Sequence, residues 1–105
     1  MDLVVEILVV DEHRIEHIAR HQVTIEEVRE VVSGDYVYIQ GHERRWLLIG
    51  KTEKGRFLTV VVGERTARNT YGLVTARAAS REERSFYREM ALEQGGEEDE
   101  QDRTT

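Results

Sequence analysis

The chain contains no cysteine and no proline. Without a thiol there is neither a disulfide framework nor a thiolate metal site, so stability has to come from packing alone, which suits a reducing cytosol. The missing proline carries no functional signal. Long apolar runs are also lacking: residues 4–10, interrupted by Glu6, and residues 58–62 are the longest, and a membrane span needs roughly 20 apolar residues. The sequence opens Met1-Asp2 with no basic stretch, so no signal peptide is expected. These absences predict a cytoplasmic protein that neither crosses nor enters a membrane.

With 105 residues, 39% of them hydrophobic and 34% charged, the chain has the size of one domain with one core. Its net charge of -6 would oppose a polyanionic partner if it were evenly spread. It is not. Residues 1–43 hold ten acids against Arg14, Arg20 and Arg29, and residues 44–92 hold eleven cations against five acids, a local excess of +6. Nine of those eleven cations are arginine, whose planar fork matches phosphate or carboxylate. The end of the chain turns acidic again, with six acids and Arg103 in residues 93–105.

Hydrophobic periodicity sets the order of elements. Residues 3–10 (LVVEILVV) form a β-branched run of strand length. From Asp11, Ile15, Ile18 and Ala19 recur at helical spacing up to Arg20. Thr24 and Glu27 form a capping box for a second helix, buried through Ile25, Val28, Val31 and Val32 and stopped at Ser33-Gly34. The period then falls to about two in four runs, DYVYIQ, RRWLLIGKT, RFLTVVVGER and TYGLVTARA, which read as strands joined by turns, with Gly55 in a short hairpin. Ser80 and Glu83 cap a last helix through Phe86, Tyr87, Met90 and Ala91. The fold class predicted is α+β: an N-terminal strand, two helices, a four-stranded antiparallel meander and a C-terminal helix, with the helices on one face of the sheet. The domain spans 1–92; residues 93–105, without apolar side chains after Gln94, are expected to be an acidic disordered tail.

Three stretches carry a family likeness. DEHRIEHIARHQVTIEEVREVV resembles the opening of BrnT-family toxins, where a helix, a Lys/Arg-His pair (Arg20-His21 here), a short turn and a second helix follow a strand. ERRWLLIGKTEKGRFLTVVVGER resembles that family's Glu-x-Arg-aromatic strand, its Ile-Gly, its Gly-Arg-led next strand and its closing Glu-Arg. TARAASREERSFYREM resembles its last strand end and basic helix with a tyrosine. The resemblance implies a RelE/BrnT-like fold, a metal-independent endoribonuclease acting as the toxin of a type II toxin–antitoxin system, RNA as substrate, and a cognate ribbon-helix-helix antitoxin as partner. A homodimer stays open.

Metal-free RNA cleavage needs a proton acceptor for the 2′-OH, cations for the charge that builds on phosphorus, and a proton donor for the leaving oxygen. Glu43 and Arg45, two apart on a predicted strand, share a face; the plain alternative is an ion pair on an exposed sheet. Arg77 ends the last strand between Ala76 and Ala78. Arg81 and Arg84 lie in the first turns of the Ser80-capped helix, where side-chain charge and helix dipole both favour an anion, unless they merely pair with Glu82, Glu83 and Glu89. Arg56 and Arg65, nine apart, face opposite sides of their strand, so at most one serves. Tyr87 reads as a stacking group or as packing. His13, His17 and His21 recur every four residues; no carboxylate or thiol at a diagnostic spacing joins them, so no metal or cofactor is expected. His42 reads as an acid–base group or an exposed turn residue. The candidates are thus Glu43, Arg45 and Arg77 for catalysis, and His21, Arg65, Arg81 and Arg84 for binding RNA. The rival reading is the same fold as a non-catalytic protein-interaction module with a degraded site, suggested by the acids among the helix arginines and by the tail.

Overall fold

The computed structural model describes the backbone of residues 3–104 and the side chains of residues 3–93. Its elements are β1 (Ile7–Val9), α1 (Glu12–Ala19), α2 (Ile25–Ser33), β2 (Tyr36–Gln40), β3 (Arg45–Lys51), β4 (Phe57–Glu64), β5 (Thr70–Ala78) and α3 (Arg81–Thr104). They form an α+β fold on one five-stranded sheet of order β1-β5-β4-β3-β2. Strands β2 to β5 are the antiparallel meander, and β1 is added to its far edge, parallel to β5.

The N-terminal strand is shorter than its apolar run. Ile7 pairs with Thr70, the first residue of β5, so residues 3–6 have no strand beside them. They are held by other means: Glu6 and Ile7 both donate backbone N–H to the Asn69 carbonyl, the Tyr36 hydroxyl donates to the Leu3 carbonyl at 3.0 Å, and Leu3 and Val5 pack on the core.

Side-chain alternation along the strands builds two apolar layers. Leu48, Leu58, Val60, Val62 and Ala76 point to one face, where Ile18 of α1, Val23 of the link and Val28 and Val31 of α2 complete the main core. Val37 and Ile49 point to the other face and meet Ala79, Phe86, Tyr87 and Met90. Helices therefore lie on both faces, not one. The physical reason is that β3 and β4 are apolar at successive positions, Leu47-Leu48-Ile49 and Val60-Val61-Val62, and a single helical layer leaves half of that surface in water.

Local signals set the joints. The Thr24 side chain accepts from Glu27 N–H at 3.2 Å, and Glu27 accepts the Thr24 N–H at 3.0 Å, closing the capping box of α2. Gly55, with φ +87°, turns the β3–β4 hairpin in the left-handed region that glycine enters without strain. The β4–β5 register slips at Val61/Val62, so Val74 bulges out of the ladder. Arg14 of α1 donates to its carbonyl at 3.0 Å.

The α3 backbone is helical through Thr104, beyond the boundary that the loss of apolar residues set near Gln94. The side chains of residues 94–105 lie outside the described ones, and the expected acidic tail at 93–105 falls there. Among the described residues, no helix is long and apolar enough to cross a membrane.

Candidate functional site

The sheet face that carries α3 is only partly covered by it. At the end of the strands away from the β3–β4 hairpin, Arg45 of β3 stands opposite Gly63 of β4, which stands opposite Gly72 of β5. Two glycines in a row leave bare backbone between the strands on either side. The Arg65 side chain comes back from the end of β4 and lays its guanidinium over Gly72, in the space a Cβ would fill. A Cβ at Gly63 would meet only Val74 Cγ2, at 3.7 Å. Arg45 and Arg65 therefore flank a glycine floor across two strand spacings, roughly 10 Å.

Both arginines are exposed. Asp11 Oδ2 approaches Arg65 Nη2 at 3.9 Å, with both side chains about half exposed, a weak contact in water. Arg45 has no side-chain hydrogen bond or ion pair among the described residues. Two cations missed in the sequence join this end: Arg44, in the β2–β3 turn, whose carbonyl accepts Glu64 N–H at 3.0 Å, and Arg68, exposed in the loop before β5. Nothing in their spacing marked them, because turn residues belong to no periodic face.

Glu43 does not share a strand with Arg45. β3 begins at Arg45, and Glu43 and Arg44 take φ +54° and +62° in the turn before it, so strand alternation does not reach Glu43. It is exposed beside His42 in that turn, next to Arg45 in the chain but off its ladder.

Arg77 shares the face of Arg45 and Arg65, opposite Thr59 on β4, four ladder positions from the glycine row and hence about 13 Å along the strands. It is not a free cation. Its guanidinium donates to Glu83 Oε1 at 2.7 Å and Oε2 at 2.9 Å. Glu83 Oε1 also accepts the hydroxyl of fully buried Thr59 at 2.7 Å and the Ser80 N–H at 2.8 Å, while the Ser80 hydroxyl accepts Glu83 N–H at 3.1 Å. Ser80-x-x-Glu83 was legible as a capping box; the same carboxylate also clamps β4 and β5 to the start of α3. The Arg77 fork and these donors hold the Glu83 carboxyl at a pKa of about 2, and the carboxylate raises that of Arg77. Both groups stay charged throughout the physiological range.

The other candidates divide between the layers. Arg84 donates to the Ala79 carbonyl at 3.2 Å and tightens the first turn of α3; Arg81 beside it is exposed. Neither forms an ion pair with Glu82, Glu83 or Glu89. His21 lies in the α1–α2 turn, with the helices that cover the opposite face, and its ring meets His17 edge-on at 5.3 Å. Arg56 also belongs to that side, donating to the Gln22 carbonyl at 2.7 Å and to both oxygens of Glu27 at 3.2 Å. Arg56 and Arg65 do face opposite ways, and Arg65 is the one left for a ligand. Tyr87 packs against Phe57.

The face therefore joins Arg45, Arg65 and Arg77, with Arg81 and Arg84 on the helix beside them, and leaves His21 out. Its chemical capacity is to hold an extended anion along a strand-lined surface, with Arg45, unpaired among the described residues, and Arg65, weakly engaged by Asp11, on either side of the bare backbone at Gly63.

No family model matches the sequence, and no curated protein matches it. Among solved structures, the crystal structure of the Brucella abortus ribonuclease toxin BrnT superposes with a TM-score of 0.57 over 71% of this chain and 99% of that one, at 16% identity. At that identity the likeness is one of architecture: the chain has the fold of BrnT.

Proposed function

We propose that the chain is a metal-independent endoribonuclease of the toxin type that takes RNA onto its arginine-bearing sheet face. The observation that carries this reading is the pair Arg45 and Arg65 across the Gly63–Gly72 floor. Bare backbone at Gly63 lets a phosphodiester approach the sheet closely, and the cations on either side stabilise the charge that grows on its oxygens during attack. Each such donor contributes on the order of a few kcal/mol to a transition state.

In the reaction the ribose 2′-oxygen attacks the adjacent phosphorus, giving a 2′,3′-cyclic phosphate and a free 5′-OH. Arg45 and Arg65 hold the non-bridging oxygens. Glu43, in the turn that leads into Arg45, takes the 2′-OH proton, and solvent water supplies the proton that the departing 5′-oxygen gains. Arg77, already neutralised by Glu83, supports the RNA backbone through position more than charge, together with Arg81 and Arg84. His21 is a contact only for RNA that wraps to the opposite layer. The proposal extends to a type II system in the cytoplasm, with a ribbon-helix-helix antitoxin shielding this face.

A second reading has one observation in its favour. The Arg77–Glu83 pair removes a cation that an active site would use, as expected of a BrnT-like protein-interaction module that no longer cuts RNA. Induced expression in a bacterial host separates the two. The nuclease reading expects growth arrest and fragmentation of total RNA, both abolished by Arg45→Ala with Arg65→Ala. Intact RNA in cells that accumulate the folded protein would decide for the module.

A further inference from the structure

At the hairpin end of the sheet, Lys51, Phe57, Tyr87, Arg88, Ala91 and Leu92 line a pocket of about 330 Å³. Lys51 stands six residues along β3 from Arg45, roughly 20 Å away. Phe57 and Tyr87 meet edge-on, with ring centroids 5.3 Å apart and planes at 76°, so the two rings form a corner rather than a stack. Both pack on the Val37–Ile49–Ala79 cluster, yet each is only half-buried. Leu92, at the lip, is 49% exposed. Core packing therefore leaves a concave aromatic surface in water, the kind of surface that a ligand covers.

Two cations stand over it. Lys51 Nζ lies 5.3 Å from the Phe57 centroid and 5.9 Å from that of Tyr87, and the Arg88 guanidinium lies 5.3 Å from Phe57. Contact with the rings places both charges at the pocket while leaving their N–H donors unused. Neither side chain forms an ion pair or a hydrogen bond among the described residues.

An aromatic corner beneath two donor-rich cations selects a molecule that is planar and stackable at one end and anionic at the other. A nucleotide has both parts: a base to lie on the rings and a phosphate for Lys51 and the Arg88 fork. An inorganic anion meets only the cations and leaves the rings in water. A carboxylate on an aliphatic chain gains no stacking. The volume suits one base with its ribose, not a longer ligand.

We propose that this pocket is a nucleotide site: one base rests against the Phe57–Tyr87 corner beside Leu92, and its phosphate lies between Lys51 and Arg88. A free nucleotide and a single nucleotide within an RNA present the same chemistry here. Neither Arg45 nor Arg65 lines the pocket, so the inference does not depend on the nuclease reading.

Amide chemical-shift titration of the isotope-labelled full chain with AMP tests it. The expected result is saturable shifts at Lys51, Phe57, Tyr87, Arg88 and Leu92, with a dissociation constant of ~1 mM or below. Adenosine and inorganic phosphate, each carrying half of the ligand, should bind at least about tenfold more weakly. Lys51→Gln with Arg88→Gln, both exposed side chains, should weaken AMP about tenfold or more with an unchanged circular dichroism spectrum. Should that variant unfold, the shift map of the parent decides alone.

A single-stranded 2′-O-methyl RNA of ~8 nucleotides, which 2′-OH attack cannot cut, separates the two sources. Displacement of AMP by this RNA, also in the Arg45→Ala, Arg65→Ala variant, supports the site with RNA as its occupant. AMP that stays bound supports it with a free nucleotide. No saturable shift up to ~10 mM AMP, shifts confined to residues outside the pocket, phosphate binding as tightly as AMP, or an affinity unchanged in the folded Lys51→Gln, Arg88→Gln variant overturns the proposal.

Discussion

Arg65 rests its guanidinium where Gly72 would carry a Cβ. The arginine is thereby placed by the absence of a side chain, so its position can be changed without touching the arginine itself. In Gly72→Ala the end of a flexible side chain has to move while the backbone need not, and stability should change by less than about 1 kcal/mol. RNA affinity should fall severalfold as Arg65 leaves the floor. Fluorescence anisotropy with a short single-stranded RNA, run beside thermal melts, measures both; unaltered binding would count against the floor as a phosphate site.

Arg45→Ala and Arg65→Ala should each weaken RNA binding and reduce the slope of log affinity against log salt by about one, as for loss of one phosphate contact. Both side chains are exposed, so the melting temperature should hardly move. A single-variant slope equal to that of the parent would mean that the arginine does not meet a phosphate.

The Arg77–Glu83 clamp should appear as stability. Folding depresses the Glu83 pKa from the usual 4.5 to about 2, so its contribution is fully present above about 4.5 and is lost as pH falls toward 2. Glu83 is 14% exposed and Arg77 38%, which discounts the linkage energy to on the order of 2 kcal/mol at neutral pH. Glu83→Gln should lower the urea midpoint at pH 7 accordingly, with the gap from the parent closing below pH 4. A pH-independent gap would show that the carboxylate charge plays no part.

Arg56→Ala removes the tie from the start of β4 to Gln22 and Glu27 and should cost about 1–2 kcal/mol. Because Arg56 faces the α1–α2 layer, RNA binding should be unchanged. A loss of RNA affinity without loss of stability would place the RNA on the wrong face.

What the sequence made legible follows from what each signal encodes. Period and capping chemistry are local, so α2 with its Thr24–Glu27 box, the Gly55 hairpin and β5 over Thr70–Ala78 could be read directly. Partner choice is not local. Nothing in residues 3–10 says that pairing starts only at Ile7, because that depends on where β5 begins. The double-sided sheet was visible in the unbroken apolar runs of β3 and β4, which an antiparallel reading alone undervalues. For the site, strand parity separated Arg56 from Arg65 correctly but failed at Glu43, where a positive φ ends the alternation. The Arg77–Glu83 pair escaped because its partners sit on a strand and a helix, and the Arg45–Gly63–Gly72 row because it spans three strands.

The account turns on whether this face cuts RNA. Incubating the purified chain with a 5′-labelled RNA in excess chelator, and resolving the products by gel with and without acid treatment to open cyclic ends, tests that directly. Fragments ending in 2′,3′-cyclic phosphate, lost in the Arg45→Ala, Arg65→Ala double variant and retained in Arg56→Ala, are the predicted result. RNA that stays full-length, or cleavage undiminished in the double variant, contradicts it.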